Sequence, residues 1–191
     1  MLSFVRPALA IFVVLTLVTG VAYPLAITGL ASLLFSQEAS GSLVERNGVV
    51  VGSRLIGQDF SDPKYFWGRP SATAERPYNA LASGGSNQGP LNPALIDAVK
   101  GRIEALRAAD PQNRALVPVD LVTASASGLD PDISPAAAAF QVARVARVRG
   151  VNADEVRKLV VQHTELPTLG FIGAPRVNVL ALNMALDTLS P

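Results

Sequence analysis

Cysteine is absent from the 191 residues and histidine occurs once, at His163. A chain without cysteine has no disulfide framework, no thiolate zinc ligands and no thiol nucleophile, and a single imidazole leaves little room for His-based metal or triad chemistry. Charge is scarce as well. Only 16% of residues are charged, and 16 Lys+Arg against 15 Asp+Glu give a net charge of +1. With no basic excess to neutralise a phosphate backbone, nucleic acid is excluded as a partner. The Gly-rich phosphate loop, the dinucleotide fingerprint, the G-x-S-x-G elbow and the H-E-x-x-H helix are all missing from the sequence.

What is abundant is apolar surface: 49% of the chain is hydrophobic, and the excess is concentrated at one end. Positions 7 to 37 carry no charge, and about 20 apolar residues suffice to cross about 30 Å of hydrocarbon. The pattern predicts a transmembrane helix over residues 8–33, preceded by a short N-terminus at 1–7. A cleaved signal peptide, with Gly20 and Ala22 before the cut, is the competing reading, but its apolar core should stop after about 7 to 15 residues. Arg6 lies on the short side of the span and Glu38 and Glu45 on the far side, so the positive-inside rule puts the N-terminus in the cytoplasm. Pro24 cannot donate to the carbonyl of Gly20, so a kink is expected there. Gly20, Ala22 and Pro24 form the candidate helix-packing surface, with Thr16/Gly20 and Ala22/Ala26 as small pairs four residues apart.

Residues 36–191 form one expected extracytoplasmic α+β domain, several helices with a small β-sheet, since no repeat or low-complexity run divides them. Asn47-Gly48 between apolar-rich flanks predicts a hairpin with strands near 42–46 and 49–56. A loop rich in Gly, Pro, Ser and Asn then runs over 61–91, far longer than most connections. Asn92-Pro93 starts a helix reaching about Ala108 with an apolar stripe of Leu95, Val99, Ile103 and Leu106. A buried strand is expected over 117–122. Ser134-Pro135 starts a helix that stops at Gly150, Asn152 and Glu155 approximate a capping box for a helix to about His163, and a last helix is expected over 177–189.

Single residues offer little chemistry. Gly84-Gly85-Ser86 has the composition of an anion nest but equally that of a turn. Asp130 and Asp132 resemble calcium ligands without the spacing of a calcium loop, so capping by Asp132 or Ser134 is the simpler role. His163 near a helix C-terminus reads as structural. Arg144, Arg147 and Arg157 fit solvated helix faces at least as well as a phosphate site, and Gln141 beside them reads as a surface amide.

Taken together, the loops carry more. The runs Gly68-Arg69-Pro70-Ser71-Ala72-Thr73, Pro77-Tyr78-Asn79, Ala82-Ser83-Gly84-Gly85-Ser86-Asn87, Leu121-Val122-Thr123-Ala124-Ser125-Ala126-Ser127-Gly128-Leu129-Asp130, Ile133-Ser134-Pro135 and Val177-Asn178-Val179-Leu180 with Leu182-Asn183 follow one another in that order. With the anchor and Leu55-Ile56-Gly57-Gln58, the chain resembles the KdpC family of the Kdp-type potassium-transporting ATPase over almost its whole length. Asp132 and Ala174 depart from the family pattern.

The resemblance implies an accessory, noncatalytic subunit of an inner-membrane complex that imports potassium at the expense of ATP. The family is described as a catalytic chaperone that raises the pump's ATP affinity. Implied partners are the ATP-hydrolysing P-type subunit, the potassium-translocating subunit and the bilayer. ATP and potassium belong to the complex, and the chain alone is expected to hold no cofactor or metal. Interface candidates are Arg69, Tyr78, Asn79, Ser83, Gly84, Gly85, Asn87, Ser127 and Asp130, with Gln141 as a candidate nucleotide contact. A domain outside the membrane cannot meet cytoplasmic ATP, so assembly or potassium-entry contacts are the expectation. A tethered binding module outside any pump, or a hydrolase using Ser86 or Ser127 with His163, are the alternatives from other classes.

Overall fold

The computed structural model describes residues 2–189, in two compact units, Met1–Val51 and Gly52–Pro191. Met1 and positions 190 and 191, the ends of the expected segments 1–7 and 36–191, lie outside the described residues.

The first unit is helical wherever the sequence is apolar. Helix α1 (Leu2–Leu17) passes through a π-helical turn (Val18–Ala22) into α2 (Tyr23–Leu34). The wide turn sits where the sequence forces it. Pro24 has no N–H, and just before it the N–H of Tyr23 reaches five residues back to the Val18 carbonyl. Thr19 and Ser32 turn their hydroxyls inward to the carbonyls of Leu15 (2.7 Å) and Thr28 (2.8 Å), so neither presents a free polar group. The stretch Phe4–Leu34 is long and apolar enough to cross a membrane. A short helix α3 (Ser36–Ala39) leads to the hairpin of β1 (Leu43–Arg46) and β2 (Val49–Ser53). Asn47 and Gly48 both take positive φ, 53° and 76°, as the expected tight turn demands.

The second unit packs helices against a small sheet. Helix α4 (Pro93–Ala109) is followed by a 3₁₀ turn (Val119–Leu121), β3 (Asp132–Ile133), α5 (Pro135–Arg149), α6 (Ala153–Gln162), β4 (Thr164–Glu165), β5 (Arg176–Asn178) and α7 (Val179–Leu186). The entry into each of these four helices is closed by a side-chain oxygen: Asn92, Ser134, Asn152 and Asn178 accept from the N–H groups of Ala94, Ala137, Asp154 and Ala181. Gly150, at φ 71°, ends α5 where the sequence predicts. Strand β5 lies between β3 and β4, antiparallel to both, with Ile133 and Thr164 opposite Val177. The core gathers Val142 and Val145 of α5, Val156 of α6, Val177, and Leu182 and Leu186 of α7, with Phe66 inserted from the long loop. Each such burial contributes roughly 1.5–3 kcal/mol.

Two expected elements are corrected. The strand over 117–122 is a 3₁₀ turn. The Asp120 carboxylate turns back to accept the N–H of Ser134 at 2.7 Å, and Pro118 has no N–H for a ladder. The last helix begins at Val179, because Val177 and Asn178 pair in β5 before Asn178 caps the helix. Asp132 caps nothing; it sits in β3 and accepts from Asn178 Nδ2 at 3.2 Å.

Candidate functional site

The loop over 61–91 contains one helical segment, the 3₁₀ stretch Ala80–Ala82, and no strand. It is nevertheless fixed, at two places. At residues 63–67 the fasteners are side chains from helices. Arg144 of α5, 2% exposed, donates to the carbonyls of Pro63 and Tyr65 (3.0 Å for the latter) and to Gln141 Oε1 (2.6 Å), and its guanidinium lies 4.5 Å from the Trp67 ring. Gln141, 1% exposed, accepts the Trp67 N–H at 2.8 Å and donates Nε2 to the Trp67 carbonyl at 3.1 Å. Asn183 of α7 does the same for Phe66, at 2.8 and 3.0 Å. The expectation of solvated Arg144 and surface Gln141 is therefore wrong. These polar groups are inside because an irregular segment in the core needs donors and acceptors that no ladder supplies. Burial draws the Arg144 pKa down to about 10, which leaves it cationic at neutral pH. Arg157 is solvated as expected and pairs with Asp154, while Arg147 reaches the buried carboxylate of Asp110 at 2.8 Å.

At residues 68–84 the fastener is a second loop. The N–H of Gly84 donates to the Ser127 carbonyl at 2.9 Å and that of Ser125 to the Pro70 carbonyl at 3.3 Å. Ser71 and Ser83 donate their hydroxyls to the carbonyls of Gly128 (2.7 Å) and Ser127 (3.0 Å). Arg69 pairs with Asp130 at 2.9 Å, their side chains 27% and 29% exposed. Tyr78 donates its hydroxyl to the Arg69 carbonyl at 2.6 Å. Asn79 is buried, accepting from Leu81 N (3.2 Å) and donating to the Ala74 carbonyl (3.3 Å). Gly85 lies so close to this second loop that a Cβ there would stand 2.9 Å from the Ala126 carbonyl oxygen. The structure thus brings Arg69, Tyr78, Asn79, Ser83, Gly84, Gly85, Ser127 and Asp130 into one loop pair. It leaves Asn87 apart, at φ 51° and with no side-chain hydrogen bond among the described residues. The nest reading of Gly84 fails, because its N–H is already bonded to Ser127.

Beside this pair lies a cleft of about 400 Å³ bounded by Asp59, Trp67, Arg69, Tyr78, Arg102 and Leu121, among others. Its volume is that of a small binding pocket. Burial, then the charges of Asp59 and Asp130, push the Tyr78 pKa up to about 12. Arg102 donates to the Val122 carbonyl at 2.7 Å, and desolvation pulls its pKa down. Neither Arg102 nor Asp59 stands out in the sequence. A signal for Arg102 existed, since it falls between Val99 and Leu106 on the inward face of α4.

Elsewhere the residues singled out are structural. His163 follows the last turn of α6 with Nδ1 2.9 Å from the Leu159 carbonyl oxygen. Among the described residues no group of acidic, histidine or cysteine side chains gathers as a metal site. Gly20 on the apolar helix has open space around its Cα, where a side chain would meet nothing.

The profile of one family, described as K+-transporting ATPase, c chain, matches residues 5–188, from the apolar helix through both loops to the end of α7. The chain belongs to the KdpC family. The KdpC subunit of the potassium-transporting ATPase from Polaromonas naphthalenivorans (strain CJ2) is 70% identical over 191 residues, covering 100% of this chain and 97% of that one. The corresponding KdpC proteins of Variovorax paradoxus (strain S110) and Dechloromonas aromatica (strain RCB) are 69% and 64% identical, over 97% and 100% of this chain and 96% and 100% of theirs.

Proposed function

We propose that this chain is an accessory, noncatalytic subunit of an ATP-driven potassium importer, anchored by its N-terminal helix with residues 1–7 in the cytoplasm and the 36–191 domain outside. The supporting observation is the family match over residues 5–188, which unites an apolar span with a domain whose longest loop is held by another loop. The partners are the ATP-hydrolysing P-type subunit and the potassium-translocating subunit, and the loop pair of residues 68–87 and 124–130 faces them. Support of ATP hydrolysis, the chaperone role, is exerted through assembly and not through nucleotide contact. Gln141 has both ends of its amide bonded to Trp67, so a nucleotide would have to displace the segment it holds.

Affinity purification of the tagged chain from native membranes in mild detergent tests this reading. Both pump subunits should be recovered with it, and recovery of the chain alone overturns the proposal. Orientation is tested separately on a chain with no native cysteine. Cysteines introduced at Ser40 and Ser190 should react with a membrane-impermeant thiol reagent in intact spheroplasts; reaction only after lysis reverses the topology.

A further inference from the structure

The cleft beside the loop pair has hydrogen-bonding capacity that nothing among the described residues uses. A guanidinium carries five N–H donors. Arg102 makes one bond, to the Val122 carbonyl, and among the described residues has no carboxylate within ion-pair distance. Arg69 gives one arm to Asp130 and another to the Ala124 carbonyl at 3.4 Å, while its Nε is buried with no acceptor. Both line the same cleft, one from α4 and one from the loop, and the wall between them is apolar: Phe60, Trp67, Leu106 and Leu121. Arg102 therefore offers the cleft a partly desolvated cation with most of its donors unused, while the Arg69 Nε is closed off behind its own bonds to Asp130 and Ala124.

Charge narrows what acceptor Arg102 would take. Arg69 is already offset by Asp130, and Asp59 lines the cleft alongside Arg102. A polyphosphate would bring two or more negative charges against Asp59, whereas one carboxylate pairs with Arg102 alone. The apolar wall suits a hydrocarbon group attached next to that carboxylate. A free monocarboxylate would be held by little beyond one partly solvated guanidinium. Presented on a protein loop, the same group arrives at high effective concentration with its own apolar neighbour.

We infer that this cleft receives an Asp or Glu side chain with an adjoining apolar residue from a partner subunit, Arg102 being the principal charge contact. The inference rests on the subunit reading above and names the chemistry of the partner segment.

The test uses the intact complex. In an Arg102→Lys variant, a water-soluble carbodiimide activates a neighbouring carboxylate and the introduced amine displaces the urea, leaving an amide that mass spectrometry locates. The expected product joins the peptide containing position 102 to an Asp or Glu of a pump subunit. Arg102→Gln should lower the fraction of complex surviving a high-salt wash by about tenfold, with Trp67 fluorescence showing that the domain remains folded. The inference is overturned if the amide forms only within the chain, as with Asp59, or not at all while Arg102→Gln complexes survive the wash like the native one. A small carboxylate released from the native complex on denaturation, and lost in the Arg102→Gln variant, overturns it as well. Failure of the unsubstituted chain to bring down pump subunits is a different result, and it removes the subunit reading itself.

Discussion

Residues 63–67 and 68–84 are consecutive, equally poor in regular structure, and held in opposite ways. The first stretch is gripped by buried side chains of α5 and α7, with Phe66 in the core and the backbone polar groups of Phe66 and Trp67 matched by Asn183 and Gln141. The second is held by another loop, through hydroxyls, carbonyls and one ion pair about a quarter exposed. Polar bonds inside a packed core are expensive to break because the abandoned partners stay buried, whereas bonds at a half-wet surface are replaced by water. Residues 63–67 are therefore scaffolding, whereas the contacts of residues 68–84 cost less to break, as the interface proposed for them requires.

That contrast can be broken by substitution, with unfolding followed by the fluorescence of the single tryptophan, Trp67. The largest effect is expected for Arg144→Ala, which strands the carbonyls of Pro63 and Tyr65 and removes the cation from the indole face. A loss of about 3–5 kcal/mol should follow in denaturant titration of the detergent-solubilised chain. Asn183→Ala leaves both polar groups of Phe66 without partners and should cost about 3 kcal/mol. If either variant unfolds like the native chain, the scaffolding assignment of residues 63–67 fails.

On the other side of the comparison, Tyr78 supplies a pH test. Its folded pKa, about 12, lies above the ordinary value of 10.0, so the folded state holds the phenolic proton more tightly. The resulting stability is complete below pH 10 and is lost as the pH rises towards 12, by about 2 kcal/mol. A Tyr78→Phe variant should lose this alkaline limb, and its persistence would assign the limb to another group. Arg69→Ala is the mildest. Its ion pair with Asp130 is partly solvated, so unfolding should change by about 1 kcal/mol or less, while recovery of the pump complex falls several-fold. A large destabilisation with unchanged recovery would make the second stretch scaffolding too, and the contrast would disappear.

Much of the architecture was legible because it depends on local rules. The uncharged run, the Asn47-Gly48 turn, the caps at Asn92, Ser134 and Asn152 and the stop at Gly150 all act within a few residues of themselves, and each is found where the pattern put it. The failures share a different cause. The run over 117–122 reads as a strand by composition, yet Asp120 bonds to Ser134, a partner fourteen residues away that no periodicity encodes. The strand pairs of β5 are two to three residues long, too short for alternation to show. Arg144 and Gln141 read as surface residues because long polar side chains on a helix usually are, and only the arrival of residues 63–67 alongside α5 reverses that.

The same division holds for function. By itself the sequence determined that the chain has an apolar span, no thiol or multi-histidine chemistry, and loop motifs of one family, since these depend on residue identity and order alone. Only the tertiary structure decided that residues 68–84 close against residues 124–130, that Asn79 and Gln141 face inward, and that Arg69 and Arg102 meet at one cleft. Such pairings join positions tens of residues apart, and burial and charge there are properties of the assembled surroundings, not of the side chains themselves.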